Sequence, residues 1–581
     1  MTRTSITYFP ETGSDYIDGL ISGAYWQLDS ARTITWGLGD FGYTWSNTGY
    51  QVIQAAFDAW EAVIDIDFRY MGDYRDYRNP AVDIMVSLHD DSYFGNSNIA
   101  GTGMFPNMTF ADSFLASNGN NRISYQNPEG DITFNIDSPV FDWINIGSNL
   151  FHIVLHEIGH ALGLKHPHDG GLAGYTTYQA AGLDAYDSGF LTLMSYEPTS
   201  HIWEYGWGST PLPLDIIAAQ TMYGANQTTN TGDNIHILSE DGLLRTIYDV
   251  SGNDTLDARN IDHGLTLKLQ QGNFTTVDTL STVYIAMDTV IENAVGTYSN
   301  DIIYGEDGAN TLLGLSGNDE IQGLGGNDLI VGGSGDDLIA GQGGRDDLQG
   351  GNGADELQGG SGDDKLFGQA GIDKLFGESG NDTLVGGDGN DTIVGGTGLD
   401  TAAYAGSRAN YTIIFEEGFA SGTINDNISL EGLDILTGIS RLSFSDINIA
   451  LDITAKPGVA YRLYKAAFDR APDLAGLGFW IKALDNGETA LKMASEFHSS
   501  PEFISLYGAN TSNDDYLNLL YNNVLDRDGD TGGHAFWLGH LDAGTVTRER
   551  LLIDFSESIE NKANVVELIA NGIDYTAYVV G

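Results

Sequence analysis

The sequence predicts a multidomain protein: an α/β domain, then a parallel β-roll with β-strand flanks, then an all-α C-terminal repeat module. Three observations predict it. Residues 1–230 mix helix-period and strand-period apolar segments. Residues 301–400 repeat every nine positions, and residues 456–581 hold two copies of one pattern offset by 57. The expected domains are therefore 1–230, 231–455 with its nonapeptide core at 301–400, and 456–581. At about 150 residues per domain, a chain of 581 residues has room for all three.

Composition narrows the function classes. Lys and Arg total 25 against 81 Asp and Glu, a formal charge of −56. So acidic a chain repels nucleic-acid backbones and anionic membranes, and neither is an expected partner. With no cysteine, disulfides and thiol catalysis are excluded. Glycine fills 76 of 581 positions, against a usual share of ~7%. Apolar residues at 41% and aromatics at 11% are too many for a disordered chain. No stretch of 18 apolar residues occurs, so no membrane span is expected. Residues 1–30 lack the basic-then-apolar pattern of a cleaved signal peptide.

In the first domain, QVIQAAFDAWEAVIDIDF (51–68) reads as a helix. Val52, Ala56, Trp60 and Val63 form its stripe, widened by Ile53, Phe57 and Ile64. VDIMVSL (82–88) and DITFNI (131–136) alternate as strands do. A second helix opens near Gly147 or Ser148 and runs through Leu162, where Gly163 breaks it.

That second helix carries HEIGHALGLKHP (156–167). His156 and His160 are four apart, so both imidazoles share a helix face, a geometry suited to two Zn²⁺ ligands. Gly163 allows a sharp turn that returns His166 as a third ligand. Three nitrogen ligands leave a coordination position open, the layout of a catalytic zinc. Glu157 stands beside the first histidine as the expected general base. His152 and His168 are not expected to ligate. Downstream, LTLMSYEP (191–198) places Met194 in a tight turn beneath the metal and brings Tyr196 toward it. IAGTGMFP (99–106) is the expected edge strand for an extended peptide.

Residues 231–300 read as transitional and strand-like. The array that follows places Asp301, Asp319, Asp328, Asp337, Asp346, Asp355, Asp364, Asp373, Asp382, Asp391 and Asp400 in one nine-residue register, with Asn310 as the exception. Glycine precedes almost every one of these positions by two, and an apolar residue follows by two. The unit G-G-x-G-x-D-x-U-x belongs to a parallel β-helix that binds Ca²⁺. Its aspartates offer hard oxygen ligands, and stacked without metal they repel one another. Folding is therefore expected to require calcium. Further strands follow at YTIIF (411–415) and RLSFSDINIALDI (441–453).

The final region is helical. Leu463-Tyr464 recurs as Leu520-Tyr521, Arg470 as Arg527, Asp473 as Asp530, and Phe479-Trp480 as Phe536-Trp537. DRDGD (526–530) resembles part of an EF-hand loop, but Thr531 stands where that loop needs glycine. Nothing in this region looks catalytic.

The chain resembles the serralysins, repeats-in-toxin metalloproteases of the metzincin group. His156–Pro167, Met194-Ser195-Tyr196, PLDIIAAQTMYGAN (213–226), IYDVSGNDTLDA (247–258), IENAVG (291–296) and the nonapeptides carry the resemblance over roughly residues 1–450. It implies a metzincin-like catalytic domain and a secreted zinc endopeptidase acting on proteins or peptides. It also implies that Tyr196 is a further zinc ligand that swings away to stabilise the oxyanion. Export would run through type I secretion machinery, with DYTAYVVG (574–581) as the candidate signal, and MTRTSITYFPETGSDY would be a shortened propeptide. Residues 456–581 depart from the usual serralysin ending. They resemble a paired helical module of bacterial surface and secreted proteins, open to a cell-surface or matrix partner. The alternative is a calcium-dependent surface or matrix protein with a narrowly processing or degenerate protease domain.

Overall fold

The computed structural model describes residues 6–8, 17, 20–22, 24–28, 30–39, 42–74, 82–94, 100–103, 130–138, 148–167, 188–189, 191–195, 207–416, 418–428 and 430–577. The chain folds as two compact units, residues 1–321 and 322–581.

The first unit opens on a five-stranded sheet. Its strands are β1 (Thr33–Gly39), β2 (Asp67–Tyr74), β3 (Ile84–His89), β4 (Gly101–Gly103) and β5 (Ile132–Asn135). Their order is β2-β1-β3-β5-β4. All neighbours are parallel except β4, an antiparallel edge strand on β5. Helices α1 (Asn47–Glu61), α2 (Asn149–Leu162) and α3 (Pro213–Tyr223) complete the domain. Their shared core includes Trp36, Phe57, Trp60, Phe134, Phe151 and Met194. The Trp60 indole donates to Leu155 O at 3.1 Å and so ties α1 to α2.

Two sequence expectations change here. The helix expected over 51–68 stops at Glu61, and residues 67–74 form β2. The apolar stripe misleads because it runs on into Ile64, Ile66 and Phe68, which alternate and are buried as extended chain. The second change concerns alternation. Every residue of β3 and β5 is buried, because these strands sit inside the sheet with both faces covered.

Within residues 231–321 the chain turns to short parallel strands. Leu243–Ile247 pairs with Trp207–Gly208 and Thr282–Ile285, and Leu244, Tyr248 and Ala286 join the core that holds α1 to α3. The roll begins with Thr255–Asp257 beside Asn293–Val295, and Thr266–Lys268 beside Ile302–Tyr304.

In the second unit the roll is regular. Leu329–Ser334 pairs in parallel with Asp347–Asn352, then Lys365–Gly371, then Thr383–Gly389. Leu338–Gly343, Glu356–Ser361, Lys374–Ser379 and Thr392–Thr397 build the other sheet the same way. Each partner lies 18 residues on, so alternate nonapeptides feed alternate sheets. Ile330, Ile339, Leu348, Leu357, Leu366, Leu375 and Leu384 point inward and are fully buried. After residue 400 the register breaks. An antiparallel pair, Tyr411–Phe415 and Ser421–Asp426, intervenes before Leu433–Thr437 rejoins Thr392–Thr397.

The helical region has four helices per repeat. The first copy holds α4 (Lys456–Phe468), α5 (Leu474–Asp485), α6 (Ala490–Ser499) and α7 (Pro501–Tyr507). The second holds α8 (Asn513–Leu525), α9 (Thr531–Asp542), α10 (Arg548–Ser556) and α11 (Ile559–Val565). One core serves both copies. Repeated residues do repeated work: Asp473 and Asp530 cap α5 and α9, while Arg470 and Arg527 chelate Glu502 and Glu560. Asp530, part of the EF-hand-like DRDGD, therefore serves as an N-cap. Ile573–Tyr575 is a strand antiparallel to Asn448–Ala450, so the candidate export tail starts inside a sheet, and its last four residues lie outside the described set.

Candidate metal centre

The metal helix is cut to length by its own sequence. Ser148 caps α2 by accepting from Phe151 N at 3.3 Å. Gly163 ends it in the left-handed region at φ +108°, where a side chain would be strained. The turn returns the chain so that His166 Nε2 lies 3.0 Å from His160 Nε2 and 3.2 Å from His156 Nε2.

The other ring nitrogens fix the tautomers. His156 Nδ1–H donates to Leu193 O at 2.7 Å, and His160 Nδ1–H donates to Leu164 O at 2.8 Å. Each Nε2 then turns its lone pair toward the cluster. Burial, followed by the neighbouring His160, holds the His156 pKa well below the ordinary histidine value, so the ring stays in its neutral, ligating form. Three imidazole nitrogens within 4.8 Å of one another fit a tetrahedral Zn²⁺ with nitrogens at about 2.0–2.1 Å.

Glu157 is nearly fully buried, and its Oε2 has no hydrogen-bond partner among the described residues. Burial raises its pKa to about 8, against the opposing Gly103 N–H. A divalent cation on the histidines would lower it again. The edge strand β4 lies flush on α2. A Cβ on Gly103 would fall 2.4 Å from Glu157 O and 2.9 Å from His160 Cβ. Only residues 100–103 of the expected edge segment 99–106 are described.

Met194 is fully buried, and a Cβ on Gly159, between the two helix histidines, would lie 2.9 Å from its Sδ. The turn is held by a residue the sequence reading missed. Asp215 on α3 accepts from Leu193 N at 2.7 Å, Leu212 N at 3.1 Å and the Thr192 hydroxyl. It is fully buried, and burial raises its pKa to about 7. A lone carboxylate in the apolar window PLPLDIIAA was the available signal. Tyr196 and His168 lie outside the described residues. His152 accepts from Gly208 N at 3.2 Å and meets the Trp207 ring edge-on, so it ties α2 to the chain at 207–208 and is not a ligand of the cluster.

In the roll, the predicted aspartates form a ladder. Each is at most 3% exposed. From Asp328 to Asp382 each backbone N–H donates to Oδ1 of the aspartate 18 residues on, at 2.8 to 3.1 Å. At Asp346, Asp355, Asp364, Asp373, Asp382, Asp391 and Asp400 the second oxygen, Oδ2, is buried and accepts no hydrogen bond among the described residues. A glycine five positions earlier makes room for it: a Cβ on Gly341 would lie 2.2 Å from Asp346 Oδ2. Rows of buried carboxylate oxygens lacking protein donors fit Ca²⁺, a hard cation that takes oxygen ligands. Asp319, Asp328 and Asp337 share the register and the burial. Asp301 differs, since Leu265 N and Thr297 occupy both its oxygens. Asp434 was missed because it stands out of register, yet it accepts from Asp391 N at 3.0 Å and continues the ladder. Asp249 Oδ1 and Asp254 Oδ2 are likewise buried and accept no hydrogen bond among the described residues.

The described residues thus hold a three-histidine cluster suited to a metal ion and a run of nonapeptide strands lined by buried carboxylates. Parts of the chain match family models. The Matrixin model matches residues 26–187, and the RTX calcium-binding nonapeptide repeat model matches five segments between 291 and 402. A domain of unknown function (DUF4214) matches 494–565. The chain is similar to a serralysin of Proteus mirabilis, 38% identical over 27% of this chain and 36% of the relative. It is also similar to a serralysin of Photorhabdus laumondii, 36% identical over 27% of this chain and 37% of the relative. Metalloprotease AprA of Pseudomonas entomophila is 33% identical over 37% of this chain and 50% of the relative. The chain thus spans half or less of these curated relatives.

Proposed function

We propose that the chain is a secreted, serralysin-like zinc endopeptidase with a metzincin-type catalytic domain at 1–230, a calcium-stabilised roll at 231–455 and a paired helical module at 456–581. One observation carries the reading: three histidine nitrogens, on the buried His156 and His160 and the half-buried His166, converge beside a buried carboxylate whose Oε2 accepts no hydrogen bond among the described residues.

His156, His160 and His166 would hold the zinc, which when bound polarises a peptide carbonyl and acidifies a water molecule. Glu157 Oε2 takes the proton from the attacking water and passes it to the leaving amine. The Gly103 N–H keeps that carboxylate oriented, and the main chain of β4 binds an extended peptide by strand addition. Tyr196 donates to the oxyanion of the tetrahedral intermediate. The roll aspartates Asp301 to Asp400 hold calcium outside the cell, where it takes the place of disulfides in a cysteine-free chain. Export by type I machinery and a surface or matrix partner for 456–581 belong to the same reading.

The test is casein hydrolysis with zinc content measured in parallel. Glu157→Ala should retain stoichiometric zinc and lose about 10²–10⁴-fold in kcat/KM. Wild-type protein that holds zinc and cleaves no protein or peptide would sink the proposal.

A further inference from the structure

An α-helix leaves its last four carbonyls without intrahelical donors. In α2 these are Gly159, His160, Ala161 and Leu162. The Gly163 turn closes the first two, through Leu164 N and Gly163 N. The other two are closed from far away in sequence. The Trp26 indole donates to Ala161 O at 2.8 Å, and the Tyr223 hydroxyl donates to Leu162 O while accepting from Trp26 N at 3.1 Å.

The same N-terminal segment grips the turn beyond the helix. Ser22 N donates to Gly163 O at 2.8 Å, and Lys165 N donates to Leu20 O at 2.8 Å, so Ile21 and Leu164 face each other as an antiparallel bridge. Leu164 O is the acceptor that orients the His160 ring, and His166 follows two residues later. Ile17, Leu20, Ile21 and Trp26 are all buried in the catalytic core, which anchors the grip.

We propose that the described residues of segment 17–26 are positioning residues for the metal centre. They cap the metal helix and clamp the Gly163–Lys165 turn, which sets the orientation of His160 and the return of His166. This rests on reading the histidine cluster as a zinc site. The clamp joins residues 135 to 145 positions apart, so the centre is finished only when the N-terminal segment docks.

Trp26→Phe removes the indole donor and keeps an aromatic ring. Ser22→Pro removes the backbone donor, and Ser22→Ala keeps it. The readouts are the zinc Kd by chelator competition, the visible spectrum of the Co²⁺-substituted protein and the melting temperature of the metal-free protein. Trp26→Phe and Ser22→Pro should raise the zinc Kd about tenfold and shift the cobalt bands, while Ser22→Ala matches wild type. If Ser22→Pro does not fold, Trp26→Phe decides alone. An unchanged Kd and cobalt spectrum overturns the clamp, as does a lower melting temperature with an unchanged spectrum. Wild-type protein that binds no zinc at the histidines would overturn the zinc reading together with the clamp. Normal wild-type binding with indifferent variants overturns the clamp alone.

Discussion

The zinc centre and the aspartate ladder both bury carboxylate oxygens that accept no hydrogen bond among the described residues, but they arrive there differently. At the zinc centre the protein does nearly all the positioning. Leu193 O and Leu164 O hold two imidazoles, Asp215 holds the Met194 turn, and Glu157 Oε2 is the one carboxylate oxygen of the centre left buried without a donor among the described residues. In the roll the deficit repeats from Asp346 to Asp400, where each Oδ2 in the register accepts no hydrogen bond among the described residues. A metal therefore completes the first site and builds the second.

The largest test of that contrast is calcium removal. Each buried carboxylate oxygen left unsatisfied costs on the order of 1–3 kcal/mol, so the set together rivals the net stability of a domain. With calcium chelated, residues 301–400 should lose amide-exchange protection and β-type circular dichroism. With zinc alone removed, α2 should stay protected, since its caps are made by the protein. A roll that keeps its protection in chelator would break the comparison.

Next is Asp215→Ala, which strands the amides of Leu193 and Leu212 and the Thr192 hydroxyl. A loss of about 2–4 kcal/mol in denaturant unfolding is expected, with weaker zinc binding through the displaced Leu193 carbonyl. Stability within 0.5 kcal/mol of wild type would show that the turn holds itself.

The pH dependence should change sign with calcium. Burial raises the Asp319 and Asp364 pKa values to about 6, and those of Asp373 and Asp382 to about 7, in the metal-free fold. The unfolded value is about 3.9. The folded state then binds more protons than the unfolded state between pH 4 and 7. The metal-free roll is accordingly most stable near pH 4 and loses stability as pH rises through 6 to 7. Calcium needs the deprotonated carboxylates, so with calcium the stability should climb over the same range. Melting curves at pH 5 and pH 8, with and without calcium, separate the two. The smallest effect is Gly163→Ala, expected to cost about 1–2 kcal/mol at φ +108° and seen as a lower denaturation midpoint.

Features set by neighbours along the chain were legible in the sequence. The bounds of α2 follow from Ser148 and Gly163, and the inward Ile and Leu of the roll follow from a register of nine. The 57-residue offset likewise anticipates two similar helical units, though not the four helices in each. The end of α1 was not legible, because a buried strand continues the apolar stripe of the helix before it. Nor were Asp215 and Asp434, whose work depends on partners 22 and 43 residues away.

By itself the sequence determined the metal-ligand types, their spacing on one helix face and the periodic supply of carboxylates, since local geometry converts spacing directly into direction. Only the tertiary structure decided which carbonyls orient the imidazoles, which carboxylate carries the methionine turn and which indole caps the metal helix. Apart from the His160–Leu164 bond, these bonds join residues 22 to 135 positions apart, and no local periodicity records which donor will meet which acceptor once the core has closed.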